Sequence, residues 1–298
     1  MNVTTKGWIY GFIGVLIFSG SLPATRVAVG ELDPYFVTVF RAAIAGLLSM
    51  LVIMILRAKR PEKSDILSLI IVALGVVIGF PLLTALALEH NTSAHAIVFL
   101  GLLPLLTAIF GVIRGGERPS IVFWVFSLIG SFLVAGFALF KGGESLLLGD
   151  LYMLIAIIVC GLGYAEGAKL SRKLGNWQVI SWALVLSLPF MAILSIYLFP
   201  SSWEEISFRT YVSLAYVSLF SMYIGFVFWY RGLSQGGIAS VGQLQLLQPF
   251  FGLLLAAVIL QEEVGLLLVL VNVGVVFCVA AAKRFSSKSF YKKKVPRV

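Results

Sequence analysis

The polar residues of this chain are gathered into short clusters, and between them lie ten apolar runs. They fall at residues 8–29, 35–56, 66–88, 93–113, 121–140, 149–170, 178–199, 211–231, 238–260 and 263–283. A helix rising about 1.5 Å per residue needs roughly 20 residues to cross the hydrocarbon of a bilayer, and each run is long enough. Of the 298 residues 60% are apolar and 12% charged, against about half and about a quarter in soluble domains. An all-α integral membrane protein of ten transmembrane helices is expected. The connectors leave no room for a nucleotide-binding domain, and no GxxxxGK[ST] phosphate loop occurs, which argues against ATP-driven transport by this chain alone.

A net charge of +9 invites nucleic acid as a partner, but the distribution of charge points to a membrane. With the N-terminus in the cytoplasm, alternate connectors on that side hold Lys6, Arg57, Lys59, Arg60, Lys63, Arg114, Arg118, Lys169, Arg172, Lys173, Arg231 and the seven basic residues from Lys283 to Arg297. These are 18 of the 22 Lys and Arg. The positive-inside rule then places both termini in the cytoplasm, and the basic tail reads as an anchor to anionic head groups. Trp8, Trp124, Trp177 and Trp203 fall near run ends and read as interfacial belt residues. Cys160 and Cys278 lie inside runs, with no disulfide or metal spacing.

The chain also repeats itself. At an offset of 142, Tyr10 meets Tyr152, Ile13 meets Ile155, Leu32 meets Leu174 and Val37 meets Val179; at 145, Ala94 meets Ala239, Leu102 meets Leu247, Pro104 meets Pro249 and Glu117 meets Glu262. The Pro and Glu keep one separation in both halves, which apolar coincidence does not supply. Two halves are expected, 1–145 and 146–285, followed by a basic cytoplasmic tail, 286–298. Five passes per half is an odd number, so the second half enters the membrane inverted. Such a 5+5 inverted-topology repeat encloses a midplane site in many secondary transporters; a symmetric scaffold without transport is the competing reading.

The chain resembles the drug/metabolite transporter superfamily in its EamA-like ten-helix branch. The resemblance covers about Gly7 to Arg284. It rests on the 5+5 repeat, on Thr92-Ser93-Ala94-His95-Ala96 through Pro104 to Gly116-Glu117, on Ile238-Ala239-Ser240 through Pro249 to Glu262, and on Pro34 followed by Arg41. It implies a central pocket bounded by helices one, three, four, six, eight and nine, with five and ten to the side. Gln261 stands where members often have a small residue, and Gln243, Gln245 and Gln248 are an unusual set for a helix that lines the cavity in relatives.

Charged and amide side chains are costly in hydrocarbon, so those inside runs are site candidates. Arg41, two turns into the second run, and Arg26, near the outer end of the first, can together hold an anionic group such as a carboxylate; for Arg26 snorkelling is the competing reading. Gln245 and Gln248 are three apart on one helix face, and Pro249 leaves the Gln245 carbonyl without its i+4 donor. Thr84, His95, Phe99, Tyr164 and Trp229 complete the expected substrate contacts. Glu166 is either a proton-coupling carboxylate or an ion pair with Lys169. Pro104 and Pro249, with Pro23, Pro81 and Pro189, are expected to kink their helices. Glycine spacings such as Gly7/Gly11, Gly75/Gly79 and Gly163/Gly167 permit close helix contact.

These features imply a secondary transporter of the plasma (bacterial inner) membrane, moving an amino acid, vitamin or related small organic metabolite by alternating access. Its partners are the solute and the bilayer, not nucleic acid, and both monomer and homodimer remain open. No catalytic residue, metal site or cofactor is expected. The alternative, an integral-membrane enzyme acting on lipid or prenyl substrates, needs paired acids, a metal set or a nucleophile with its base; the chain has two histidines, His90 and His95, and no HExxH or DxxxD motif. A channel would show charge rings or filter loops.

Overall fold

The computed structural model describes residues 2–91, 96, 99–141, 147–201, 203–260 and 266–285. His95, Gln261, Glu262 and the tail 286–298 lie outside the described residues. All regular structure among the described residues is helical. Six stretches are long and apolar enough to cross a membrane: Val3–Val29, Pro34–Ile55, Lys63–His90, Leu148–Leu174, Asn176–Tyr197 and Phe208–Gly236; Leu103–Gly115 and Ile121–Leu133 are shorter apolar helices.

Helix α1 (Val3–Ser19) starts where the Asn2 side chain accepts the Thr4 N–H at 2.9 Å. It ends where the Ser19 hydroxyl bonds back to the Val15 carbonyl at 2.7 Å, a bond that competes with the helical ladder and bends it. After Gly20 the chain restarts as α2 (Ser21–Val29). Helix α3 (Pro34–Ile55) is capped by Asp33, whose carboxylate accepts the Phe36 N–H at 3.0 Å, with Pro34 in the first turn where its missing N–H costs nothing. The third span comprises α4 (Ile66–Val72), a π-helical stretch Ala73–Gly79 and α5 (Phe80–His90). Pro81 cannot donate to the carbonyl four residues back, and just before it the Phe80 N–H bonds the Gly75 carbonyl, five back.

Then follow α6 (Leu103–Gly115), α7 (Ile121–Lys141), α8 (Leu147–Leu174) and α9 (Asn176–Tyr197). The eighth run repeats the pattern of the third, with α10 (Phe208–Ala215), a π stretch Tyr216–Ile224 and α11 (Gly225–Gly236). The ninth is a short α12 (Ile238–Gly242), a 3₁₀ stretch Gln243–Leu247 and α13 (Gln248–Leu260), and α14 (Leu266–Phe285) closes the described chain.

Pro104 and Pro249 correct the expectation of kinks. Each stands in the first turn of a newly assigned helix, α6 and α13, where its missing N–H costs no bond, and not in mid-helix. Pro189, inside α9, is the one in the expected mid-helix position. The Gln245 carbonyl is not left free either: the Gln248 N–H fills it through the 3₁₀ bond.

Helix α1 packs along α11, α3 along α9, and α5 and α6 along α8; α7 and α14 pair with each other. Glycine makes two of these contacts possible. A methyl group on Gly7 would stand 2.5 Å from the Gly236 nitrogen, and one on Gly75 would stand 2.6 Å from the Val159 carbonyl oxygen. At that distance backbones meet directly and dispersion replaces the hydrophobic drive that lipid does not provide.

One end of the bundle gathers basic groups. Lys173 bonds Glu62 at 2.8 Å and Asp65 at 2.7 Å, Arg172 bonds Glu117 at 3.3 Å, Arg231 lies over the Tyr10 ring and Lys283 over Trp8. At the opposite end Phe36, Phe40, Phe199 and Tyr211 pack around Trp203. Trp8, only 8% exposed, and Trp203 pack against other side chains at these two ends.

Candidate functional site

A single cavity collects wall residues from each interruption of α-geometry. Phe18 and Ser21 flank the break at Gly20, Val76 comes from the first π stretch, Ser221 from the second, and Gln248 follows the 3₁₀ stretch. Arg41, Thr25, Thr84 and Tyr164 add further polar groups, and Leu22, Phe80, Pro81 and Phe226 complete an apolar side. The cavity offers about 30 Å³ to the centre of a water-sized guest, room for two or three waters when each needs about 10–15 Å³.

Arg41 is 5% exposed. Its Nη2 donates to the Ser221 hydroxyl at 3.1 Å, and its Nε has no partner. The hydroxyls of Ser221 and Ser21 are 2.7 Å apart. Gln248 Nε2 donates to the Phe18 carbonyl at 3.4 Å, beside the break that ends α1. The Thr84 hydroxyl is already engaged by its own helix, 2.7 Å from the Phe80 carbonyl and 3.0 Å from that of Pro81. Tyr164 is buried against Phe18, Phe226 and Trp229, with ring centroids 6.5, 5.9 and 5.4 Å away.

Of the residues expected from sequence, the cavity unites Arg41, Thr84, Tyr164 and Gln248. Trp229 is fully buried behind Tyr164, Gln245 is buried with its Oε1 3.3 Å from the Thr107 hydroxyl, and Phe99 packs near Ala135. Arg26 does not join Arg41; it is exposed and donates to the Leu88 carbonyl. Ser21, Ser221, Phe18 and Phe226 were not singled out from sequence. Single hydroxyls and phenylalanines are common in apolar runs, and no local pattern announces a π stretch.

Glu166 sits at the basic end. Its carboxylate accepts from Arg114 at 2.7 Å and from the Ser68 hydroxyl at 2.6 Å, with Lys169 at 3.8 Å. Glu117, at the C-terminal side of α6, accepts the backbone N–H groups of Ile238 at 2.7 Å and Ala239 at 2.8 Å. It therefore caps α12 from the connector after α6, answering donors that a helix start leaves unpaired. Among the described residues no group of three or more His, Cys, Asp or Glu is placed to hold a metal ion.

Residues 5–140 and 147–282 each match the EamA-like transporter family. A protein of Bacillus subtilis (strain 168) named "Uncharacterized transporter YdeK" is 72% identical over 286 residues, 96% of this chain and 100% of the relative. An "Uncharacterized transporter" of Archaeoglobus fulgidus is 25% identical over 252 residues, 84% and 87% of the two chains. One solved structure, described as "Crystal structure of protein", shares the fold with a TM-score of 0.74 at 19% identity, over 93% of this chain and 97% of that one. Two successive matches that together take in most of the sequence, on an all-helical chain with membrane-length apolar spans, make this a multi-pass member of the EamA-like transporter family.

Proposed function

We propose that the protein is a secondary transporter that moves a small organic metabolite, an amino acid, vitamin or related solute, across the plasma membrane by alternating access. In this reading ten crossings form two inverted bundles of five, residues 1–145 and 146–285, and the basic end, with both termini and the tail 286–298, faces the cytoplasm. One observation carries it. The cavity is walled from both halves, by Phe18, Ser21 and Val76 of the first and Tyr164, Ser221 and Gln248 of the second, and all of these but Tyr164, which comes from the unbroken α8, stand in or beside a stretch where a helix loses regular geometry. Interrupted helices around a shared site are what rocking bundles move about.

Arg41, Thr84, Tyr164 and Gln248 contact the solute, with Phe99, Trp229 and Gln245 in the wider wall; His95, outside the described residues, is proposed as a solute contact on its sequence position alone. Glu166, answered by three partners, holds the basic end together. A cavity that admits only two or three waters is a closed state, and a metabolite enters only when the bundles part. The test is saturable uptake into proteoliposomes from a panel of amino acids, vitamins, nucleosides and organic acids, competed by analogues. Conversion of a lipid or prenyl substrate without translocation would contradict the reading.

A further inference from the structure

The solute's chemistry is narrowed by Arg41. A guanidinium removed from water is costly unless an opposite charge answers it. Arg41 is 5% exposed inside a membrane-length helix, and the ion pairs formed between described residues, at the basic end, do not include it. Its one hydrogen-bond partner is a neutral hydroxyl, and Nε has none. Among the described residues the cavity wall holds no other charged side chain. The pocket is thus one positive charge with no negative one, backed by two hydroxyls and faced by aromatic rings.

We infer that the solute is an organic monoanion: a carboxylate seated on Arg41, with one hydrogen from whichever of the paired Ser221 and Ser21 hydroxyls does not donate to the other, and an apolar body lying against Phe18 and Phe226. Charge-assisted bonds of this kind are the strong ones. One cation neutralises one unit of charge, so a dicarboxylate or phosphate dianion would carry an unanswered charge into the membrane interior. An ammonium group would find no acid in the wall, which separates this class from the zwitterionic amino acids. The inference rests on the reading of this cavity as the transport site.

The test uses the purified full chain in detergent, because a ligand that binds only the folded state raises Tm. The probes are isobutyrate, benzoate and phenylacetate against benzamide, phenylethylamine, phenylalanine and chloride. The expected result is a saturable Tm increase with the carboxylates, an apparent affinity at least about tenfold weaker for benzamide and the amine, and loss of the carboxylate response in Arg41→Gln. Arg41→Lys keeps the charge and part of the response. If Arg41→Gln does not fold, Ser221→Ala, which removes one donor, weakens benzoate several-fold and leaves benzamide unchanged.

Equal responses to benzoate and benzamide, an equal response to chloride or phenylalanine, or a carboxylate response that survives Arg41→Gln would overturn the inference. So would silence from all three carboxylates. Proteoliposomes separate the two claims. Benzoate bound through Arg41 but not translocated leaves this inference standing and removes the transport reading; saturable uptake of a neutral or cationic solute, independent of Arg41, does the reverse.

Discussion

At the basic end the Glu166 carboxylate is enclosed by Arg114 at 2.7 Å, Ser68 at 2.6 Å and Lys169 at 3.8 Å; at the cavity the Arg41 guanidinium is as deeply enclosed and meets only the Ser221 hydroxyl. The two sites cost the fold in different ways. Glu166 is a buried charge with its answer built in, so it ties α4, α6 and α8 together. Arg41 is a buried charge without a charged partner among the described residues. On the proposed function, the contrast separates groups that hold the scaffold from a group that binds the solute.

Stability measurements sharpen or break that contrast. The largest change is expected for Glu166→Ala, which strands Arg114. Breaking a fully buried pair costs about 3–5 kcal/mol; with Arg114 37% exposed the loss is about 2–3 kcal/mol, read as a Tm fall of about 4–10 °C. Glu117→Ala comes next. It unpairs the Ile238 and Ala239 N–H groups and frees Arg172, and the loss of a cap, about 1–2 kcal/mol, lowers Tm by about 2–6 °C. A Tm unchanged in either variant would place these acids outside the scaffold.

Arg41→Gln should leave the Tm of the empty protein level or raise it, because it removes an unanswered buried charge. A fall as large as that of Glu166→Ala would mean that Arg41 is a scaffold group too, and the contrast would fail. The smallest effect belongs to Glu31, in the connector before α3. It accepts the Ser207 N–H at 2.8 Å, and that bond, with the Ser207 hydroxyl, holds its carboxylate below the usual range. A lowered folded pKa contributes stability above the unfolded value, and the contribution disappears as pH falls through the folded one. Wild type should therefore lose slightly more Tm than Glu31→Gln on acidification below about pH 4.5, and parallel curves would remove Glu31 from this account.

How much was legible in the sequence depends on whether a signal is local. Membrane-length apolar spans and the repeat are compositional and periodic, and both were readable. Arg41 stood out because a charge in an apolar run is rare. Glu166 was seen beside Lys169, three residues on, yet its closest partners come from α6 and from Ser68, 52 and 98 residues away. The Pro104 and Glu117 spacing was noticed as a repeat, but its use, a carboxylate capping a helix 121 residues later, is a tertiary fact. Prolines looked like kinks because sequence shows the missing donor and not where the chain restarts. The hydroxyls of Ser21 and Ser221 carried no signal, since their role arises only when two broken helices bring them within 2.7 Å.

The most direct test of alternating access is the reach of a membrane-impermeant thiol reagent to position 21. Ser21→Cys, in a chain with Cys160 and Cys278 replaced by alanine, is reconstituted in oriented vesicles and labelled from each side in turn. The account predicts labelling from both faces, with a proportion that shifts when benzoate is added. Labelling from one face alone, whatever solute is present, would contradict it.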